Sequence, residues 1–167
     1  MRHFRKLLVA AVGALSVVAA GGATVLAHED HRILQFSSMT PVTGAAVGTV
    51  NDRGLAGGGK AWAITSGSGS VSSNGHVTVS VTGLVIPEFG NINPVTQFKA
   101  IVSCVTPHHM IVNVSTGLFA ANAAGDSTIN DTVALPRHCR QPLLFVTSPG
   151  GAWFARSNRG EGEEGDD

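Results

Sequence analysis

Valines alternate with hydroxyl residues through Val77-Thr78-Val79-Ser80-Val81-Thr82, which predicts a strand with one buried and one wet face. Upstream, Trp62 and Ile64 alternate with Ala61, Ala63 and Thr65 before a Gly/Ser run. Ser73-Asn74-Gly75 lies between them, and Asn-Gly supplies the positive φ angles of a tight turn. Residues 61–71 and 76–86 are therefore expected to pair as a β-hairpin. In 97–105, Phe98, Ala100, Val102 and Cys104 share one face. Short strands are expected at 111–114 and 117–121. In 127–135, Ile129, Val133 and Leu135 point inward, and Asp131 shares their parity. Its position requires either a bulge or a hydrogen-bonded carboxylate. A last hairpin, 143–147 with 152–156, turns at Ser148-Pro149-Gly150-Gly151, and an early strand covers 33–37. Roughly eight short strands with frequent turn signals predict an all-β chain, an antiparallel two-sheet β-sandwich that is Ig-like in general architecture. A closed β-barrel fits the same periodicity.

The start of the chain has a different pattern. Arg2, Arg5 and Lys6 precede an uncharged apolar run, Gly21-Gly22 interrupts it, and Val25-Leu26-Ala27 forms a small-residue cleavage site. This three-part layout predicts a signal peptide over 1–27, cut after Ala27. An uncut membrane anchor is the alternative, since the run is just long enough to span. The expected mature chain is then a single β-sandwich domain over 28–158, with no stable membrane span after cleavage. Residues 159–167 alternate glycine with Glu161, Glu163, Glu164, Asp166 and Asp167 and hold no apolar residue, so a disordered acidic tail is expected. The intact chain balances 11 basic against 11 acidic residues. No basic stripe stands out, which excludes a nucleic-acid footprint.

Export changes the meaning of the two cysteines. Cys104 and Cys139 are the complete set, and an oxidising compartment predicts one structural disulfide between them. A redox pair is the alternative, but it usually uses a C-x-x-C spacing. The bond would bring His138, beside Cys139, towards His108 and His109, beyond the strand that holds Cys104. Converging imidazoles bind zinc or copper; dispersed loop histidines do not. Cleavage after Ala27 would also leave His28 leading the mature chain. In that one residue the chain resembles the histidine brace of secreted copper proteins and copper monooxygenases, which implies copper held by the α-amine and ring.

One motif invites a nucleotide. Gly54, four residues, Gly59 and Lys60 match seven of the eight P-loop positions. Ala61 stands where the magnesium-binding Ser or Thr belongs, and 62–65 continues as a strand rather than a helix. Asn51-Asp52-Arg53-Gly54 is therefore expected to be a turn, followed by a glycine connection and a surface lysine.

Catalytic constellations are sparse. No G-x-S-x-G elbow occurs, and between the termini the carboxylates are Asp52, Glu88, Asp126 and Asp131. A hydrolase with an unrecognised site is one alternative function. Trp153-Phe154 sends adjacent aromatics to opposite faces of a strand, so one must look outward or into a second layer. An exposed Trp153 would serve as a sugar or partner contact; a buried one would be core.

"GKAWAITSGSGSVSSNGHVTVSVTGLVIP", "GLFAANAAGDSTINDTVALP" and "PLLFVTSPGGAWFA" together resemble small exported bacterial proteins to which no activity is attached. The resemblance implies bacterial export and transfers no functional residue. The expectation is a secreted, extracellular protein (periplasmic in a two-membrane bacterium) with a non-enzymatic binding or structural role. A glycan or cell-surface partner suits that role; a copper- or zinc-binding protein is the alternative.

Overall fold

The computed structural model describes residues 31–158. The predicted signal peptide, His28 and the acidic tail lie outside the described residues.

The alternating segment is strand β4 (His76–Thr82), with Val77, Val79 and Val81 buried. It lies between β3 (Ser66–Ser72) and β8 (Ser127–Thr132), and β1 (Arg32–Phe36) completes a four-stranded antiparallel sheet in the order β1-β3-β4-β8. The second sheet is built on β5 (Gln97–Val105). It runs β2-β10-β9-β5-β6, with β2 at Met39–Pro41, β10 at Trp153–Ser157, β9 at Arg140–Thr147 and β6 at Ile111–Ser115. The short β7 (Phe119–Ala120) also pairs with β5. The two sheets do not close on each other, so the sandwich holds and the barrel does not.

Inward side chains from both sheets form one core. Leu34, Phe36, Val71, Val77, Val79, Val81 and Ile129 come from the first sheet. Phe98, Ala100, Val102, Cys104, Leu144, Val146 and Phe154 come from the second. Trp62 stacks on Phe154 at 3.9 Å between ring centroids, and Phe98 meets both rings edge-on. Such aromatic contacts add about 0.5–1.5 kcal/mol per pair beyond the area they bury.

Several local expectations are corrected. The first hairpin strand begins at Ser66, not at 61. The Trp62 amide donates to the Val42 carbonyl, Ala63 bridges to Val85, and the Thr65 amide donates to the Thr82 carbonyl. Residues 62–65 thus cross between sheets, because Trp62 packs on one while Thr65 joins the other. The returning strand stops at Thr82 rather than 86, since Gly83 takes φ 63° and donates its amide to the Asp126 carboxylate. The β8 strand ends at Thr132, before the expected 135. Asp131 causes no bulge there; the β4–β8 register is unbroken and its carboxylate is hydrogen-bonded. Strand β2, three residues ending in proline, is absent from the pattern-based expectation.

Five connections share one design. Residues 51–55, 72–76, 106–110, 122–126 and 148–152 each turn through three residues. In each, the fourth amide donates to the first carbonyl, and the fourth residue has positive φ. That residue is Gly54, Gly75, His109, Gly125 or Gly151. This is a type I turn closed by a left-handed residue. The Asn74-Gly75 turn belongs to this class rather than to the two-residue kind, since only Gly75 has positive φ. The opening residue reinforces the turn with its side chain. Asn51 Oδ1 accepts from the Leu55 amide, Asn122 Oδ1 from the Asp126 amide, and Ser148 Oγ from the Ala152 amide.

Candidate functional site

Three of the four carboxylates among the described residues are committed to structure. Asp126 accepts from the Asn122 side-chain amide at 3.1 Å and the Gly83 amide at 3.0 Å, which hold its carboxyl below the usual range. Asp131 accepts from the Gly117 amide at 2.7 Å and the Thr132 amide at 2.8 Å, with the same effect. Glu88 pairs with Lys60 at 2.9 Å. Lys60 also lies 5.9 Å from the Phe89 ring centroid. The glycine stretch offers no phosphate cradle: Gly57 donates its amide to the Thr49 carbonyl and Gly58 to the Trp153 carbonyl.

Cys104 and Cys139 form the expected disulfide, with their Cα atoms 4.9 Å apart. His108 and His109 sit exposed at the β5–β6 turn, and His138 is exposed in the connection before β9. Among the described residues no three His, Cys, Asp or Glu side chains are placed to hold a metal ion, so these histidines do not assemble a three-ligand cluster.

Trp153 is not an exposed platform. It is 5 % exposed and packs edge-on against Phe145 at 5.8 Å. Phe154 takes the inner face and Trp153 the outer, and segment 43–58 folds over that outer face. The Trp153 amide donates to the Ala56 carbonyl. The second layer therefore exists, as an irregular segment rather than a sheet. Trp153 Nε1 is buried without a hydrogen-bond partner among the described residues.

Arg53, in the middle of the 51–55 turn, extends across the same outer face and is only 5 % exposed. Its Nη2 donates to the Gln141 carbonyl at 3.0 Å, and its Nη1 reaches the Ser103 carbonyl at 3.4 Å. The Asn113 side-chain amide donates to the Arg53 carbonyl at 2.8 Å, pinning the turn to β6. Gln141 stands in a β9 bulge: Ser103 pairs with Leu143 and Val105 with Arg140, leaving two residues opposite Cys104. Its φ of 44° is left-handed, a strained conformation for glutamine. A polar cleft of about 390 Å³ opens here, bordered by Asp52, Arg53, Gln141, Leu143, Arg156 and Asn158. Sequence reasoning missed this place. The Asn51 and Gly54 turn signal put Arg53 at a loop tip, but nothing local reveals that the tip folds onto a sheet.

Among the described residues no such segment covers the outer face of the four-stranded sheet. Ser68, Ser80 and Thr128 form one cross-strand row; Gln35, Ser70, Thr78 and Asn130 form another. Ser66 and Thr82 begin a third, their hydroxyls 2.7 Å apart. A shallow depression of about 210 Å³ lies among Ser68, Thr78, Ser80, Thr128 and Asn130. Arg32 and His76 stand at one end of this face, and Asp126 lies at the other beside Thr82 and Thr128.

Comparison with protein-family models, with curated proteins and with solved structures returns no match.

Proposed function

We propose that the protein works outside the cytoplasm as a non-catalytic binding sandwich, and that the open face of its four-stranded sheet contacts an uncharged polysaccharide. The observation that carries this is the set of in-register rows of short hydroxyl and amide side chains. Hydroxyls and amides both donate and accept, matching the hydroxyl pattern of a neutral sugar. The central rows, Ser68-Ser80-Thr128 and Ser70-Thr78-Asn130, hold no charged side chain, and short side chains lose little rotamer freedom when ordered. Each contact is weak, so affinity comes from many repeats of a polymer meeting many rows.

Two further features support the proposal. Export agrees with the leader pattern and with the disulfide. Among the described residues, no helix is long and apolar enough to cross a membrane. A non-catalytic role agrees with Asp126 and Asp131 being occupied by backbone and amide donors.

Co-sedimentation with insoluble neutral glucan and with chitin tests the proposal. The natural chain should pellet with at least one, and a Ser80→Lys/Thr128→Lys variant, which puts two charges on the rows, should stay in solution. A natural chain that remains soluble with every neutral polymer would contradict it. So would undiminished pelleting of the double variant.

A further inference from the structure

We propose that the depression on the open face seats an acetamido group, so that the polymer it takes is built of N-acetylated amino sugars rather than plain glucose. This inference rests on the proposed role of that face and narrows its ligand.

Three observations converge. First, the polar side chains of this face fall into two sets. Ser66 and Thr82 bond each other at 2.7 Å, Ser70 and Thr78 bond at 3.1 Å, and the Gln35 side chain accepts from Arg32 at 2.8 Å. The exposed side chains of Ser68, Ser80, Thr128 and Asn130 have no hydrogen-bond partner among the described residues. Together with Thr78, these border the depression of about 210 Å³. The groups still able to bond a ligand are therefore gathered in one place. Second, their spacing suits an amide. Asn130 and Ser80 stand in adjacent rows, two residues apart along the strands, or about 6.5–7 Å. In a trans secondary amide the N–H and C=O point in opposite directions, so a donor is needed on one side and an acceptor on the other. Those partners stand about 7–8 Å apart, the length of two hydrogen bonds and the amide between them. The Asn130 amide donates to the acyl oxygen, and the Ser80 hydroxyl accepts from the acetamido N–H. A sugar hydroxyl at the same ring carbon is too short to bridge the two rows. Third, Thr78 and Thr128 each carry a methyl group and line the depression, which gives the acetyl methyl apolar neighbours. Amide geometry, not charge, selects this ligand.

Isothermal titration calorimetry with chitotetraose and cellotetraose tests the seat, since the two share their linkage and differ in acetamido against hydroxyl. The natural chain should bind chitotetraose roughly fivefold or more tightly, the ratio that about one additional net hydrogen bond gives. Asn130→Ser, a substitution at an exposed position, should bring chitotetraose down to the cellotetraose level. Its affinity for cellotetraose and its circular dichroism spectrum should be unchanged, whereas a merely structural defect would weaken both sugars. Affinity for cellotetraose equal to or above that for chitotetraose, or a parallel loss of both in Asn130→Ser, would overturn the acetamido seat and leave the open face standing. Binding of neither oligomer would overturn the seat and the open face together. A parallel titration with peptide-free bacterial wall glycan distinguishes a cell-wall strand from chitin as the source of the acetamido group; tighter binding of either supports the seat.

Discussion

Asp131 shows how one residue can be half legible. Its inward parity in the alternation marks it as either displaced or hydrogen-bonded, and the Gly117 and Thr132 amides decide for the second. Periodicity could not decide, because Gly117 comes from the β6–β7 connection, fourteen residues away. The same bonds set a pH dependence. Asp131 and Asp126 have folded-state pKa values below their ordinary ones. Their stabilisation is therefore present above the unfolded carboxylate value, near 4, and is lost as pH falls through the lowered folded value. Urea midpoints should drop between pH 5 and pH 2. In Asp131→Asn the midpoint should be lower at pH 7 and change less on acidification; an unchanged acid response would mean the carboxylate contributes nothing. His109 makes a simpler case. It holds φ 59° in a position that glycine occupies in the four sister turns. His109→Gly should raise stability by about 0.5–1 kcal/mol, read as a higher urea midpoint, because the side chain is exposed and only strain is removed.

At the scale of elements, the strands with clean alternation were the readable ones. β5 was predicted over its observed range, and β4 was recognised from its valines, though its end was not. Where a segment serves both sheets, as 62–65 does, no single period exists to be read. Strand β2 is short and ends in proline, so it carries almost no pattern. The five turns explain why so many short strands can follow one another. Each uses a polar first residue and a left-handed fourth, and four of the five fourth positions are glycine. Gly75 and Gly125 are the most constrained of the four, since a Cβ would collide with the Val133 backbone at φ 90° in the first and with the Leu84 backbone at φ 80° in the second. Gly125→Ala should cost more than about 2 kcal/mol, measured by urea denaturation. The disulfide acts between elements, tying the connection before β9 to β5 across a separation of 35 residues. Replacing Cys104 and Cys139 by serine should remove about 2–4 kcal/mol and lower the melting temperature accordingly. Reduction of the natural chain should reproduce that loss.

For the whole molecule, the two sheets face the outside differently. Segment 43–58 lies over the second, where Trp153, Phe145 and Arg53 are buried beside a polar cleft. The first has no cover among the described residues and shows hydroxyl rows. The sequence made the rows visible as the polar half of an alternation, but their mutual register needed the strand order β3-β4-β8, in which β8 arrives from far along the chain. It left the cover and the cleft unseen, because both depend on an irregular segment returning to a distant sheet. This asymmetry sets a broad face of hydroxyl rows, the proposed surface for polymer, apart from a sheet whose outer face carries an irregular cover. The most direct test is to map amide chemical-shift changes by NMR during titration with a soluble neutral oligosaccharide prepared from the polymer that retains the protein. Shifts concentrated at Ser68, Ser80, Thr128 and Asn130, with Arg53 and Arg156 unmoved, are the predicted result. Shifts confined to the opposite sheet, or none at millimolar oligosaccharide, would contradict the open face as the working surface.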